Sequence, residues 1–232
     1  MTEREMLIEL ERRIQLADPN TEISEKLSSD ALFTMLNAGL DKFVKTRYSG
    51  LNVKGTGFEV TQKRIDDLRS LVTTADFSSI TDNTITLPTD YLLTLGETAG
   101  ISSTTPCWPK NGETPIIRTT DVLEGTIESI DAMLENSLSA HRLRLNRAKP
   151  IRLYQGNTIK LYTDGNYTVN TYKLTYLRHP AKLGDPTKTS VEYTDLPKHT
   201  HLEIVQLALQ HYMSVKGSQQ IQVFANEVNT ME

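Results

Sequence analysis

Three histidines, His199, His201 and His211, are the first residues whose type invites chemistry, because neutral imidazole is the commonest metal ligand. His199 and His201 flank a helix start. His211 follows about ten residues later, which places it roughly 280° around a helix from His201. The three do not converge, and surface histidines are expected. Cys107 beside Trp108 has no Cys-His-Asn signature around it, so a small buried cysteine is expected rather than a nucleophile. Asp66-Asp67 suggests a metal pair, yet neighbouring helical residues point about 100° apart, and a solvated helix face is expected. Gly55-Thr56-Gly57 lacks the third glycine of a dinucleotide fingerprint and the lysine of a phosphate loop, and reads as a connector. No serine sits in a nucleophile elbow, and neither HExxH nor HxE…CxxC occurs. An enzyme would have to build a pocket from separated residues such as His179, His211 and Asp195. The expectation is a non-catalytic chain with no cofactor and no metal.

The densest charge is basic. Arg142, Arg144, Arg147, Lys149 and Arg152 lie close together with Leu143 and Leu145 between them. Such a run meets phosphate, an acidic protein surface or plain water, and its composition does not choose among the three. It lacks the interleaved aromatics of a single-strand binder. The chain as a whole is mildly acidic, with net charge −4 and pI near 5.8 over 232 residues, which argues against an overall grip on nucleic acid. One cysteine excludes an internal disulfide framework. The start, MTEREMLIEL, is charged from residue 3 and has no apolar signal region, and no apolar run is long enough to span a membrane. Synthesis in cytosol without secretion is expected, and the Asn166-Tyr167-Thr168 sequon then carries no weight. Hydrophobic content of 38% is low for this length, as if some apolar surface is completed by other copies or partners.

The elements that must position these residues fall into two textures. Residues 3 to 16 form an amphipathic helix with Met6, Leu7, Leu10 and Ile14 on one side and a Glu9–Arg13 pair on the other, ended by Pro19. A second helix starts at Ser29 or Asp30 and runs to about Tyr48 on a stripe of Leu32, Phe33, Leu36, Leu40, Phe43 and Val44. Past Gly50, Thr61 caps a third, with Ile65, Leu68 and Val72 inward and Asp66, Asp67 and Arg69 outward. From residue 77 the period drops towards two. Thr84 to Leu87 alternates and stops at Pro88, and Leu92 to Ile101 is a strand. Residues 121 to 135 return to helical spacing through Val122, Ile127, Ile130 and Leu134. "IRLYQGNTIKLYTDGNYTV" then gives three short strands separated by Gly156-Asn157 and Asp164-Gly165, a meander. Val169 and the set Tyr172, Leu174, Tyr176 occupy opposite phases, so a bulge or turn near Asn170 is required to bury both. Pro180, Gly184 and Pro186 close this section. A last helix follows, with Leu202, Val205, Leu209 and Tyr212 or Met213 on its stripe, ended by Gly217. The tail beyond alternates Ile221, Val223 and Ala225 among glutamines and is either frayed or a strand awaiting a partner's sheet edge.

Within "NTITLPTDYLLTLG", Pro88 removes a ladder donor, Asp90 is placed to accept a backbone N–H in the turn, and Tyr91 packs its ring inward while its hydroxyl reaches a neighbour. Taken alone this is an ordinary strand corner. Its position in a longer order is more informative. "DALFTMLNAGLDKFV", "FEVTQKRIDDLRSLV", "TLPTDYLLTL", a β section ending "YKLTYLRHPAKL", and "LPKHTHLEIVQLALQHY" occur in that sequence between about residues 28 and 215. The series resembles the head-to-tail connector, or adaptor, proteins of short-tailed and related bacteriophages, and looks most like the ring proteins of crAss-like phages. The residues that carry it are Leu87, Pro88, Asp90 and Tyr91, then Tyr176, Leu177, Arg178 and Pro180, and the helix opened by Leu196-Pro197.

The resemblance implies an α+β chain: mainly a helical bundle, residues 3–75 and 195–216, with an inserted antiparallel β-meander, residues 83–180, in one connector-like domain. It implies a structural virion protein in the phage neck, made in the host cytoplasm. There about twelve copies would form a ring that joins portal to tail and lets double-stranded DNA pass during ejection. It also implies that the segment 217–232 docks on the portal, through Gln220, Ile221, Gln222, Val223, Phe224 and Val228. A non-enzymatic cytosolic interaction module is the competing expectation.

Overall fold

The computed structural model describes residues 1–17, 27–49, 62–78, 80–185 and 191–216. The chain is a mixed α+β protein whose strands pair antiparallel with one short exception. In chain order its elements are α1 (Glu3–Ala17), α2 (Ser29–Ser49), α3 (Gln62–Leu68), β1 (Val72–Phe77), β2 (Thr84–Thr86), β3 (Tyr91–Ser102), β4 (Lys110–Asn111), β5 (Thr114–Pro115), β6 (Arg118–Asp121), β7 (Leu123–Glu124), α4 (Ile130–Glu135), β8 (Ile151–Gln155), β9 (Thr158–Tyr162), β10 (Thr168–Arg178) and α5 (His201–Lys216). They form two compact units. The helical one is discontinuous, Met1–Leu71 with Pro180–Glu232, and the β-rich one is Val72–His179. No helix of the described residues is long and apolar enough to cross a membrane.

In the helical unit α1 starts with a reciprocal capping box. The Thr2 N–H donates to the Glu5 carboxylate at 2.9 Å and the Glu5 N–H donates to Thr2 Oγ1 at 3.2 Å, which satisfies two of the donors a helix start leaves open. Met6, Leu10 and Ile14 are buried, as the stripe predicts. The cap of α2 is Ser28, whose hydroxyl accepts the Ala31 N–H, rather than Ser29 or Asp30. Helix α2 packs chiefly on α5, and the crossing is close. A Cβ on Gly39 would lie 2.9 Å from Ala208 N and Ile204 O, so only glycine admits that approach. The inner face of α5 carries His201, Ile204, Val205, Ala208, Leu209 and Tyr212, whereas Leu202, expected inside, is exposed. Asn37 ties the returning chain to α2 by exchanging two hydrogen bonds with Leu183, at 3.0 and 2.8 Å.

Helix α3 is shorter than its apolar spacing suggests. A 3₁₀ turn, Arg69–Leu71, ends it, and Val72 is the first residue of β1 rather than a helical core residue. The β unit therefore begins before residue 83. It contains a sheet ordered β1-β10-β3-β6 and a second ordered β2-β9-β8-β7, in which only β7 and β8 run parallel. Side chains from both sheets share one core, including Ile85, Ile101, Ile159, Leu161, Tyr172 and Leu174, and Trp108 joins it from the loop between β3 and β4.

The predicted meander is half correct. β8 and β9 form a hairpin across Gly156 (φ +59°) and Asn157, but β10 leaves that sheet and pairs with β1 and β3. The Asp164 carboxylate accepts N–H groups from Leu143 and Asn166, which fixes the Asp164-Gly165 loop away from a simple hairpin. The phase conflict along β10 is resolved as expected. The pairing register with β3 shifts between Val169 and Thr171, and Val169, Tyr172, Leu174 and Tyr176 are all buried. Residues 121 to 135 form mostly non-helical structure. The Leu123 N–H bonds Pro150 O and the Gly125 N–H bonds Arg152 O, which draws this segment to the sheet edge, so α4 covers only Ile130–Glu135 and Ile127 is exposed.

Candidate interaction site

The Leu87–Tyr91 corner is built by backbone and tyrosines together. Tyr91 N–H donates to Pro88 O at 3.1 Å, closing the turn after the strand-ending proline. The Asp90 carboxylate does not take a backbone N–H as expected. It accepts the Tyr176 hydroxyl at 2.9 Å, while the Asp90 carbonyl accepts the His179 N–H. Burial and that carboxylate together raise the Tyr176 pKa. The half-buried Tyr91 ring lies against Tyr176 and Tyr154, and its hydroxyl bonds Thr94 Oγ1 at 2.9 Å. The two soft motifs of the sequence thus meet through Asp90, Tyr91 and Tyr176. Leu87 and Leu177 are buried, Arg178 is half-buried, and Pro180 is buried in the helical unit.

Arg152, grouped by sequence with the basic run, does not share its surface. It is buried and sandwiched by acids: Nε donates to Glu97 at 2.7 Å, and a terminal nitrogen lies 3.2 Å from Glu124. Burial is the largest influence and works against its charge, but Glu97, Tyr154 and Glu124 together outweigh it, so its pKa is raised. The Arg152 guanidinium also sits 4.2 Å from the centre of the Tyr154 ring. Burial pushes the Tyr154 phenol far above its ordinary range, and its hydroxyl donates to Glu97 at 3.2 Å.

The other four basic residues converge. Arg142, Arg144, Arg147 and Lys149 line an open cleft of about 820 Å³, joined there by Arg118 from β6, which sequence reasoning missed. Arg118 is distant in the chain and reaches the cleft only because β6 pairs with β3, a partnership no local pattern signals. Among the described residues Asp121 is the only carboxylate in the lining, and Lys149 holds it at 2.8 Å. Arg142 donates to the carbonyls of Leu134 and Asn136 at the end of α4, Arg144 to that of Ser137, and Arg118 to that of Asn146 at 3.4 Å. Carbonyls orient a guanidinium without cancelling its charge, so the cleft is strongly positive on an acidic chain.

A tight turn crosses this cleft. Arg144 and Arg147 exchange two backbone hydrogen bonds of 2.9 Å, with Leu145 (φ +45°) and Asn146 (φ +65°) between them, the type I′ geometry. Asparagine tolerates the left-handed region. A leucine there costs about 1 kcal/mol or more. Leu145 nonetheless is 94% exposed, and Leu138 on the same lining is 76% exposed.

The helical unit holds a second polar cluster of a different kind. Asp67 is fully buried rather than on a solvated face, and lies 3.0 Å from Arg47 and 2.7 Å from His199. Arg47, also buried, continues to Glu203 on α5. His201, expected at the surface, is fully buried, with Nε2 3.2 Å from Leu196 O and Nδ1 2.9 Å from the Met1 amine. Burial lowers its pKa. His211 is exposed on α5, and the Asp195 carboxylate accepts the Ala181 N–H. His179 belongs to the β unit. Cys107 is exposed, contrary to expectation, while Trp108 is buried. Among the described residues no three His, Cys, Asp or Glu side chains converge to hold a metal ion. The docking segment with Gln220, Ile221, Gln222, Val223, Phe224 and Val228, and the connector at Gly55-Thr56-Gly57, lie outside the described residues.

The most distinctive feature among the described residues is thus a basic, partly apolar cleft on the β unit. No protein-family model matches the chain, and no curated protein matches its sequence.

Proposed function

We propose that the chain is a non-enzymatic structural protein of a bacteriophage virion, a neck ring that joins the portal to the tail and lets genomic DNA through. The observation that carries this reading is topological. A helical unit is interrupted after Leu71 by a β unit and resumes at Pro180, in the order of the connector-like motifs. On this reading the helical unit is the bundle of a connector, and the β unit is its excursion. The soft motifs of that resemblance meet at Asp90, Tyr91 and Tyr176, which gives them a shared structural purpose. A net charge of −4, repeated around a ring, gives a channel past which DNA slides rather than adheres. On this reading the segment beyond Lys216 is what docks on the portal.

The test is co-purification from the native source with the full chain and with a form ending at Lys216. Portal and tail proteins should accompany the full chain and be lost on truncation. A truncated form that still carries the portal removes the docking role of the tail. Recovery of cellular complexes with no virion component favours a cytosolic interaction module and ends the neck reading.

A further inference from the structure

We propose that the basic cleft of the β unit is a copy-to-copy contact, and that its occupant is the acidic face of α4 from a neighbouring copy of this chain. The choice of a second copy rests on the ring reading above, and the chemistry of both halves is present in one β unit.

The cleft selects its ligand by two properties. Arg118, Arg142, Arg144 and Arg147 require negative charge, since Asp121 is already held by Lys149. Leu138 and Leu145 require apolar surface, and a polyphosphate backbone has none to offer. The matching occupant is an exposed segment that mixes carboxylates with an aliphatic side chain. The turn and helix at residues 127–135 have this character. Asp131 and Glu135, four residues apart, share one face of α4, and Glu128 stands in the turn just before it. All three are exposed, and no partner is seen for them among the described residues. Ile127 beside them is 77% exposed. Ile130, on the other side of α4, is buried and fixes the orientation of the acidic face.

The Leu145 turn strengthens the case. A leucine in the left-handed region has no local reward, and a position 94% in water gives it no burial. Both costs are offset when the side chain packs beside Ile127 of another copy. When each copy gives its cleft to one neighbour and its acidic face to the next, the contact is head-to-tail, the type from which closed rings are made.

Charge swapping tests this directly. The variants are Arg144→Glu/Arg147→Glu and Glu128→Arg/Asp131→Arg, all at exposed positions, checked for unchanged melting and far-ultraviolet spectra. Association is read by sedimentation velocity over a concentration series, and retention of duplex DNA is measured in parallel. Wild type should assemble, and each double variant should associate roughly tenfold or more weakly. An equimolar mixture of the two should assemble again, because each cleft then finds an opposite charge. If both variants assemble like wild type, the cleft contact is wrong while a ring built through another surface still stands. A wild-type chain that stays monomeric throughout overturns the contact and the ring reading together. Variants that assemble normally but lose DNA make the cleft a phosphate site, and a mixture that fails to recover also overturns the contact.

Discussion

Replacing Glu97 by glutamine should destabilise the β unit sharply. Glu97 and Arg152 have side chains 7% and 9% exposed and meet at 2.7 Å, and Glu97 also accepts the Tyr154 hydroxyl. Breaking a buried pair from one side leaves an uncompensated charge, at a cost of about 3–5 kcal/mol. Glutamine keeps one acceptor for Arg152 or Tyr154, which returns about 1 kcal/mol. Glu124 remains near Arg152, but its side chain is 72% exposed and its attraction is largely screened. The net expectation is a loss of roughly 2–4 kcal/mol. Replacing both partners, Glu97→Met with Arg152→Met, should cost much less than the two single changes added together, because no charge is stranded. Urea denaturation followed by tyrosine fluorescence and far-ultraviolet circular dichroism measures the cycle. A Glu97→Gln chain within about 0.5 kcal/mol of wild type, or strict additivity in the cycle, would refute the reasoning.

Two further predictions concern the helical unit and pH. Gly39→Ala places a methyl group against the backbone of α5, which cannot yield as a flexible side chain would, and should cost about 1–3 kcal/mol by the same denaturation assay. An unchanged midpoint would mean that the α2–α5 crossing is looser than described. Burial lowers the pKa of His201 and of His141, with Arg142 adding to the effect at His141. Each folded-state value lies below the unfolded one, so the unfolded chain takes up the proton first as pH falls. Stability should be complete above about pH 6.5 and decline below it, by at most about 1.4 kcal/mol per pH unit for each group. His201→Gln should flatten that decline. A stability profile level from pH 7 to pH 5 would contradict it.

What the sequence made legible was whatever local periodicity controls. The buried stripes of α1 and α2 follow from apolar spacing alone, and the register shift at Asn170 follows from two buried sets in opposite phase. Features set by distant partners were hidden. Turn dipeptides announce the β8–β9 hairpin, but only the pairing with β1 and β3 decides where β10 goes. Asp67 looks like a solvent-facing helical residue until Arg47 of the preceding helix and His199 are placed against it. Arg152 reads as part of a basic surface because its neighbours in sequence are basic, whereas strand alternation turns it towards Glu97. The other four cations lie in the turns before β8 and face outward, where Arg118 joins them from β6. The helix over residues 121–135 failed because sheet-edge hydrogen bonds to Pro150 and Arg152 outcompete a weak helical period.

The central claim is most directly tested by particle composition. Tailed particles purified from the native source, digested and quantified by mass spectrometry against isotope-labelled peptides, report how many copies of this chain accompany each portal. The account predicts that the chain is present in fixed proportion to the portal, at about twelve copies per particle, and stays with tail-bearing particles after high-salt washing. Particles that lack the chain, while it accumulates free in the cell, would contradict it.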